Sequence, residues 1–416
     1  MENTLRHAAC ALGCCAALIG SQTALAGPLT FDDALAKGRA EAPSIKAKTL
    51  GADASRSARI AAGQLPDPKL ALGVDSFPIS GPLAFQPTRD NFTWARVGVS
   101  QDIPNLAKRR AQRGRADADI AVADAGTLVE VRVVEVQTAI AWINLAYAQR
   151  RLVALNGVLA RLGRFVRTSP SAVASGSARP AQTLAGRAAL ARIQDRRDEL
   201  VSGVARAKAD LTRWTGEVAP EIAGSAPDFA ADPGRLRAAL ARHPSLVLRG
   251  TQVTRADADV RLAQAERRPD FSVELSYQRR DPRFGDYVSA GVTIGLPLFK
   301  KHRQDPLIAA RAADAGAVRA DADSALRALT ADLEAGLADH VMHHDRWARA
   351  RDVLQPLAQE RVSLETASYA AGRANLVDLV DAHAALAEAI LDTLDREATA
   401  IADGVRLNLL FGSANQ

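Results

Sequence analysis

The chain contains two copies of one sequence pattern, and this repeat constrains its fold more than any other feature. The segment 98–104 (GVSQDIP) resembles 291–297 (GVTIGLP), and 176–178 (GSA) resembles 372–374 (GRA). An internal repeat of this spacing predicts a fold that is built from two similar units.

Each copy is predicted to consist of a long helix, a pair of strands and a further pair of long helices. Strands are indicated where apolar and polar residues alternate, and helices where apolar residues recur every three or four positions. The predicted strands are 69–77, 92–103, 270–278 and 287–296. The predicted helices are 30–63, 106–166, 181–214, 232–266, 305–371 and 376–410.

Proline and glycine mark the predicted interruptions of the long helices. One helix pair is predicted to break at 169–180 and the other at 372–375, where Gly176 and Gly372 would form turns. Pro356 is predicted to kink the helix in which it lies, because proline removes a backbone hydrogen bond.

The first 26 residues are predicted to be an export signal peptide. Arg6 precedes a short apolar segment, and 24–26 (ALA) fits the small-residue pattern of a cleavage site. A lipoprotein signal that ends at Cys14 is the alternative. All three cysteines lie in this segment, so the mature protein is expected to have neither disulfides nor thiolate metal ligands. The predicted division is a signal peptide (1–26), a first repeat (27–215), a linker (216–234) and a second repeat (235–416).

The composition argues against several classes of function. The formal net charge of +6 is spread along the chain, without the basic blocks and interleaved aromatic residues of a nucleic-acid-binding surface. The sequence contains no glycine-rich phosphate loop, no metalloprotease spacing and no nucleophile–base motif. We therefore expect no enzyme activity, no cofactor and no nucleic-acid partner.

The predicted strands have the properties of outer-membrane β-strands. Each is about 10 residues long and apolar on one side. Four strands cannot close a barrel, and open strand edges cannot face lipid. Several copies of the chain are therefore expected to share one barrel, with the long helices below it. The alternative is a periplasmic coiled-coil structural protein with two surface hairpins and no pore.

With these features the mature chain resembles the outer-membrane factors of tripartite efflux pumps and type I secretion systems, the TolC-like channels. The resemblance implies a mainly α fold of two helix–hairpin–helix repeats. Four strands per protomer would join a trimeric β-barrel of the outer membrane, above an α-helical barrel in the periplasm. It also implies that 78–91 and 279–286 are extracellular loops. The homotrimer would contact outer-membrane lipid, a periplasmic adaptor (membrane fusion protein) and an inner-membrane RND transporter.

A finer resemblance is to the heavy-metal branch of this family, the CzcC-like channels. It is carried by 65–70 (LPDPKL), 75–79 (DSFPI) and 98–104 followed by Lys108-Arg109. The resemblance implies a channel that conducts heavy-metal cations passively from the periplasm to the exterior. A multidrug efflux channel or a type I secretion channel is the alternative.

The segment 369–381 resembles the second periplasmic tip of this family. In relatives, acidic residues line the narrow entrance there, which implies a gate at Asp378 and Asp381, beside Arg373. Three copies of one inward acid would form a ring that attracts cations. The alternative is that both acids only stabilise a helix N-terminus through its dipole. The first tip has no acid and carries a proline where the second has leucine, so the gate is expected on the second tip alone.

Four further residues are candidates for metal binding or for lining a lumen. His340 and His344 lie one helical turn apart, a spacing that can hold zinc or copper, although exposed histidines on a polar helix are the alternative. Asp75 and Glu274 are expected on the polar side of their strands, which would face the lumen of a barrel.

Overall fold

The computed structural model describes residues 28–174 and 180–412. The expected signal peptide, Cys14 and Gly176 lie outside the described residues. Within the described ranges, none of the helices combines the length and the hydrophobicity that a membrane-spanning helix needs.

The two repeats have the same order of elements. The first contains α1 (Phe31–Glu41), α2 (Pro43–Ala61), β1 (Lys69–Asp75), β2 (Trp94–Ile103), α3 (Leu106–Ala174) and α4 (Pro180–Thr215). The second contains α5 (Pro233–Ala239), α6 (Pro244–Ala265), β3 (Asp270–Arg279), β4 (Tyr287–Gly295), α7 (Gln304–Arg349), α8 (Gln355–Ala370) and α9 (Leu376–Phe411). In both, a helix that is divided near a proline precedes a hairpin, and long helices follow it.

Two helices that the sequence predicts as continuous, 30–63 and 232–266, are divided, so those two predictions are wrong. Pro43 begins α2, and the residue before it is extended (φ −61°, ψ 118°). Pro244 begins α6 after a residue of similar conformation (φ −60°, ψ 131°). Proline lacks a backbone N–H, and its ring moves the preceding residue out of the helical region.

Two other prolines lie in long helical segments and have different effects on the helix. Helix α3 continues through Pro170 to Ala174, so the predicted start of a break at residue 169 is wrong. A proline removes one helical hydrogen bond and can kink a helix without ending it. Between α7 and α8, a π-helical turn over Ala350–Leu354 precedes Pro356. This wider turn makes room for the ring of Pro356, which in a regular α-helix would clash with the backbone carbonyl four residues earlier. The irregularity therefore lies where a kink is predicted.

The four strands form one antiparallel sheet in the order β1-β2-β3-β4. Strands β2 and β3 join the two repeats, with Val97 opposite Tyr277 and Gly98 opposite Ser276. The glycine allows a close approach, because a Cβ at residue 98 would lie 3.1 Å from the Cβ of Ser276. Strands β1 and β4 are the edges of this sheet, and each has one side without a strand partner in the described residues.

The largest hydrophobic cluster lies around the middle of α3. Trp142 and Tyr147 are buried there against Leu211 of α4 and against α9. The start of the described chain joins this cluster, since Leu29 pairs with Ile222 of the linker. The Trp142 Nε1–H also donates to the Leu29 carbonyl at 3.1 Å. The linker and the N-terminal segment are thus attached to the long helices.

Candidate functional site

The sheet has one apolar and one polar face, because successive side chains of a strand point to opposite sides. Large apolar side chains are exposed in the single chain: Leu72 is 70% exposed, Val292 67% and Leu275 58%. The same face carries Leu70, Val74, Val97, Val99, Phe271, Val273, Val288 and Ile294. A contiguous apolar surface of this kind indicates contact with a membrane or with another protein.

The lumen candidates Asp75 and Glu274 lie on the polar face and meet at Arg96. The Arg96 Nε lies 3.0 Å from Asp75 Oδ2, and the Arg96 Nη1 lies 3.5 Å from Glu274 Oε1. On the same face, Lys69 Nζ lies 2.6 Å from Asp102 Oδ2. These acids are therefore neutralised by cations of neighbouring strands. Sequence reasoning missed Arg96, although strand alternation places it on the face of both acids.

A hydrogen-bonded joint attaches the sheet to α3. The Asn105 side chain caps α3, since its Oδ1 accepts from the Lys108 N–H at 2.9 Å. The backbone N–H of Asn105 donates to Asp270 Oδ1 at 2.8 Å, and Lys108 Nζ lies 3.1 Å from Asp270 Oδ2. Because Asp270 begins β3, these contacts fix the end of the sheet to the start of the longest helix.

The two loops at the other end of the sheet are bound to each other. Arg280 Nη1 donates to Asn91 Oδ1 at 2.9 Å, and Arg283 Nη2 donates to the Thr88 carbonyl at 2.6 Å. The hydrogen bond from Arg283 holds the pKa of Asp281 below its usual value. The second hairpin loop is therefore hydrogen-bonded to the longer first loop through its two arginines.

The predicted turn at Gly372 is a Schellman motif that ends α8. The Arg373 N–H donates to the Ser368 carbonyl at 2.9 Å, and the Gly372 N–H donates to the Tyr369 carbonyl at 3.1 Å. Gly372 has φ +70°, a left-handed conformation that glycine adopts without steric cost. The side chain of Arg373 is exposed at this turn.

The gate candidate Asp378 belongs to a capping box at the start of α9. The Asn375 Oδ1 accepts from the N–H groups of Val377 at 2.7 Å and Asp378 at 3.1 Å. In return, Asp378 Oδ2 accepts from the Asn375 N–H at 3.2 Å. This is the structural role that the sequence left open as the alternative to a gate.

An acidic stripe extends from this cap along one side of α9. Its members, at spacings of three, seven, four and three residues, are Asp378, Asp381, Glu388, Asp392 and Asp395. Asp392 pairs with Arg396, and Asp395 pairs with Arg151 of α3. Within the described residues, Asp381 and Glu388 have no ion pair. Sequence reasoning stopped at Asp381 and missed Glu388, although its spacing of seven residues places it on the same helix face.

The opposite face of α9 holds the tip together. Leu376 and Val380 are buried against Leu162 of α3. His383 is also buried, and its ring centroid lies 5.8 Å from that of Phe165. Neither ring nitrogen of His383 has a hydrogen-bond partner among the described residues. Burial, together with the nearby charge of Arg161, lowers the pKa of His383, so its neutral form is favoured.

The predicted metal candidates His340 and His344 pack against the linker. Their rings lie 6.2 Å and 6.3 Å from the ring of Phe229, and Trp347 completes this cluster at 5.8 Å. Burial lowers the pKa of His340. No group of three or more His, Cys, Asp or Glu side chains in the described ranges is arranged to bind a metal ion.

Comparison with known proteins identifies similar chains. Residues 236–413 match the family model described as outer membrane efflux protein. Over 373 residues, the chain is 23% identical to the cobalt-zinc-cadmium resistance protein CzcC of Cupriavidus metallidurans. This similarity covers 88% of the chain and 85% of the relative.

Solved structures share the fold. A membrane protein from Pseudomonas aeruginosa has a TM-score of 0.80 at 14% identity, over 92% of this chain and 90% of that protein. CusC, whose conformation changes on folding and transmembrane channel formation, has a TM-score of 0.78 at 12% identity, over 92% of both chains. The predicted fold class, mainly helical with a four-stranded antiparallel sheet, is confirmed.

Proposed function

We propose that the chain, whose residues 236–413 match the outer membrane efflux protein model, is the channel subunit of a tripartite efflux system. Three copies form a homotrimer that conducts heavy-metal cations passively from the periplasm to the exterior. The proposed division of the chain is the one that the sequence predicts, with repeats over 27–215 and 235–416 and a linker over 216–234.

The observation that carries this proposal is the two-faced sheet with open edges. Its apolar face suits outer-membrane lipid, and its polar face, with the paired charges of Asp75, Arg96 and Glu274, suits a wet lumen. The free edges of β1 and β4 need strand partners in lipid, because unpaired backbone groups are costly there. Three sheets of four strands satisfy both edges in a closed barrel.

The long helices and the lack of an energy-coupling motif support a passive role in the periplasm. The sequence contains no nucleotide-binding loop, so energy has to come from another component. An inner-membrane RND transporter provides it, and a periplasmic adaptor connects that transporter to the helical tips. The family resemblance is the support for both partners.

The proposed gate is at the second tip. Asp378 and Asp381 of three copies form rings at the narrow entrance, next to Arg373. Because like charges around a narrow opening attract cations and repel one another, these rings favour metal ions and have to separate when the entrance opens. Glu388, which lies seven residues after Asp381 and has no ion pair in the described part of the chain, continues the same acidic stripe.

Two observations support heavy-metal cations as the cargo, namely the similarity to CzcC and the acidic stripe of α9. The similar protein CzcC is named for resistance to cobalt, zinc and cadmium. The acids of α9 provide oxygen groups that attract cations transiently, whereas a tight metal site would retain the cargo. Conduction requires binding that is weak enough to release the ion.

The experiment is growth inhibition of a strain that lacks the gene. The strain is exposed to copper, silver, zinc, cadmium, cobalt and a panel of drugs. Rescue is attempted with the intact gene, with Asp378→Ala plus Asp381→Ala, and with the control Asp195→Ala, which removes an exposed acid of α4. The proposal is supported if the deletion strain is sensitive to metals, if the intact gene and the control restore metal resistance, and if the double variant restores it poorly. Sensitivity to drugs without sensitivity to metals contradicts the metal cargo and indicates a general efflux channel.

A further inference from the structure

We propose that residues 296–303 bind anionic phospholipids of the periplasmic leaflet of the outer membrane. This inference rests on the proposed channel, in which the sheet crosses the membrane and the helices lie in the periplasm. It adds a binding site and its ligand class to that proposal. The evidence is an exposed apolar segment, an adjoining group of cations, and the position of both where the sheet meets the helices.

Residues 296–303 connect β4 to α7 at the end of the sheet that joins α3. Gly295, the last residue of β4, lies opposite Asp270, and Asp270 belongs to the hydrogen-bonded joint with Asn105. In the proposed arrangement this joint lies where the sheet leaves the hydrocarbon of the membrane. The segment is therefore at the level of the phosphate groups of the periplasmic leaflet.

The first half of the segment is apolar and exposed. Leu296 is 64% exposed, Leu298 74% and Phe299 68%. Leu296 continues the apolar face of β4, because it follows Val292 and Ile294 at the two-residue period of that strand. Large apolar side chains that extend an exposed apolar face indicate a surface that is covered in the membrane.

The second half of the segment carries exposed cations, which are Lys300, Lys301 and Arg303. None of the three has an ion pair in the described part of the chain. The sequence has no carboxylate over 287–304, and the next acid, Asp305, pairs with Arg267. These positive charges are therefore available to an external anion.

A short 3₁₀ turn over Lys300–His302 keeps the two halves of the segment together. The Phe299 carbonyl accepts from the N–H groups of His302 and Arg303, at 3.1 Å each. The cations consequently lie within one turn of Phe299 and do not follow an extended chain. A phospholipid likewise presents its phosphate next to its acyl chains, so one lipid molecule can contact both halves.

The first repeat uses its corresponding cations inside the chain. After β2, Lys108 Nζ lies 3.1 Å from Asp270 Oδ2, and Arg109 Nε donates to the Gly63 carbonyl at 2.8 Å. In both repeats the cations follow a strand and a proline. The second repeat lacks such internal acceptors for its cations among the described residues, so the structural role seen in the first repeat does not account for them.

An anionic phospholipid satisfies the chemistry of both halves. Its phosphate accepts hydrogen bonds from ammonium and guanidinium groups, and its acyl chains contact Leu298 and Phe299. Basic residues beside a membrane-embedded surface attract anionic lipids in this way. In the proposed trimer, three cations in each of three copies lie at one level of the membrane. They hold the barrel at a fixed height relative to the lipid phosphates.

The test measures lipid binding to the purified protein in detergent by native mass spectrometry. The probes are dioleoyl phosphatidylglycerol, which is anionic, and dioleoyl phosphatidylcholine, which is zwitterionic. The charge variant combines Lys300→Gln, Lys301→Gln and Arg303→Gln. The control variant removes the same charge from exposed helical positions by combining Lys46→Gln, Lys48→Gln and Arg327→Gln.

The expected result is a selective loss of anionic lipid. Each basic residue near an anionic lipid surface contributes about fivefold to binding. The charge variant should therefore bind phosphatidylglycerol about tenfold to about a hundredfold more weakly than the control variant does. Its binding of phosphatidylcholine should stay close to that of the parent protein, because this lipid has no net charge.

A second variant and a competition test the apolar half of the segment. Leu298→Ser combined with Phe299→Ser should weaken the binding of both lipids, because both make the same acyl contacts. Inorganic phosphate at the concentration of the lipid should not displace phosphatidylglycerol from the parent protein. Displacement by phosphate would show a simple anion site and overturn the assignment to a lipid.

Conductance and native mass of the same samples separate this inference from the proposed function. A conducting trimer whose charge variant binds phosphatidylglycerol as tightly as the control variant does overturns the lipid site and leaves the channel intact. Loss of the trimer in the charge variant, but not in the control, assigns the segment to a contact between copies and also overturns the inference. A parent protein with neither a trimer nor conductance overturns the proposed function itself.

Discussion

Replacing Asn375 with alanine is expected to loosen the proposed periplasmic tip without unfolding the protein. The Asn375 side chain accepts two hydrogen bonds from the first turn of α9, at 2.7 Å and 3.1 Å. Loss of such an N-cap costs about 1 kcal/mol, within a range of about 0.5–2 kcal/mol. The population of locally open tips therefore rises about fivefold in each copy. Leu376 and Val380 remain buried against α3, so the remainder of α9 stays in place.

The assay is hydrogen exchange of the purified protein in detergent. The backbone amides of Val377 and Asp378 lose their acceptor in Asn375→Ala, and their exchange should accelerate about fivefold. Amides in the middle of α9 should keep the exchange rate of the parent protein, because the substitution removes no contact there.

The matched control is Asp381→Asn, which removes the charge of an exposed residue one turn farther along α9. This variant should leave exchange of the tip amides unchanged and should lower cation conductance in planar bilayers, if Asp381 lines the entrance. Unchanged exchange in Asn375→Ala, or an equal acceleration in Asp381→Asn, would refute the reasoning that the cap holds the tip.

Three further predictions concern single positions. Gly372→Ala should destabilise the end of α8 by about 1 kcal/mol, because φ is +70° at this residue. Gly316→Ala, where a new Cβ meets no atom within 4 Å, should instead stabilise α7 by roughly 0.5–1 kcal/mol, and thermal unfolding of both variants measures these opposite shifts. Gly404→Ala should detach the linker, because the new Cβ would lie 2.0 Å from the Phe229 carbonyl oxygen, and limited proteolysis within 216–234 would detect the change. Burial lowers the pKa of His383, so the contribution of this residue to stability is present above about pH 6.5 and decreases as the pH falls toward the folded-state pKa. His383→Leu should therefore reduce the acid sensitivity of thermal unfolding, and an unchanged pH dependence would contradict this.

Much of the fold could be predicted from local sequence patterns. Alternation in 270–278 predicted β3, which ends at Arg279, because every second residue of a strand faces the same side. The long proline-free segment after Pro104 predicted α3, although the helix extends to Ala174. The divisions at Pro43 and Pro244 also had a local signal, since proline excludes the helical conformation before it, but the sequence interpretation did not use it.

The candidate site depended on contacts that no local pattern contains. Asp378 and Asp381 looked equivalent in sequence, but the structure gives a capping role to Asp378 and leaves Asp381 without an ion pair in the described residues. The sequence by itself determined the repeat, the strands, the long helices and the position of the second tip, because these depend on spacing along the chain. Only the tertiary structure decided that Arg96 neutralises Asp75 and Glu274, and that His340 lies buried beneath the linker. Those outcomes depend on residues far apart in sequence, whose charges and volumes act on each other only after the chain has folded.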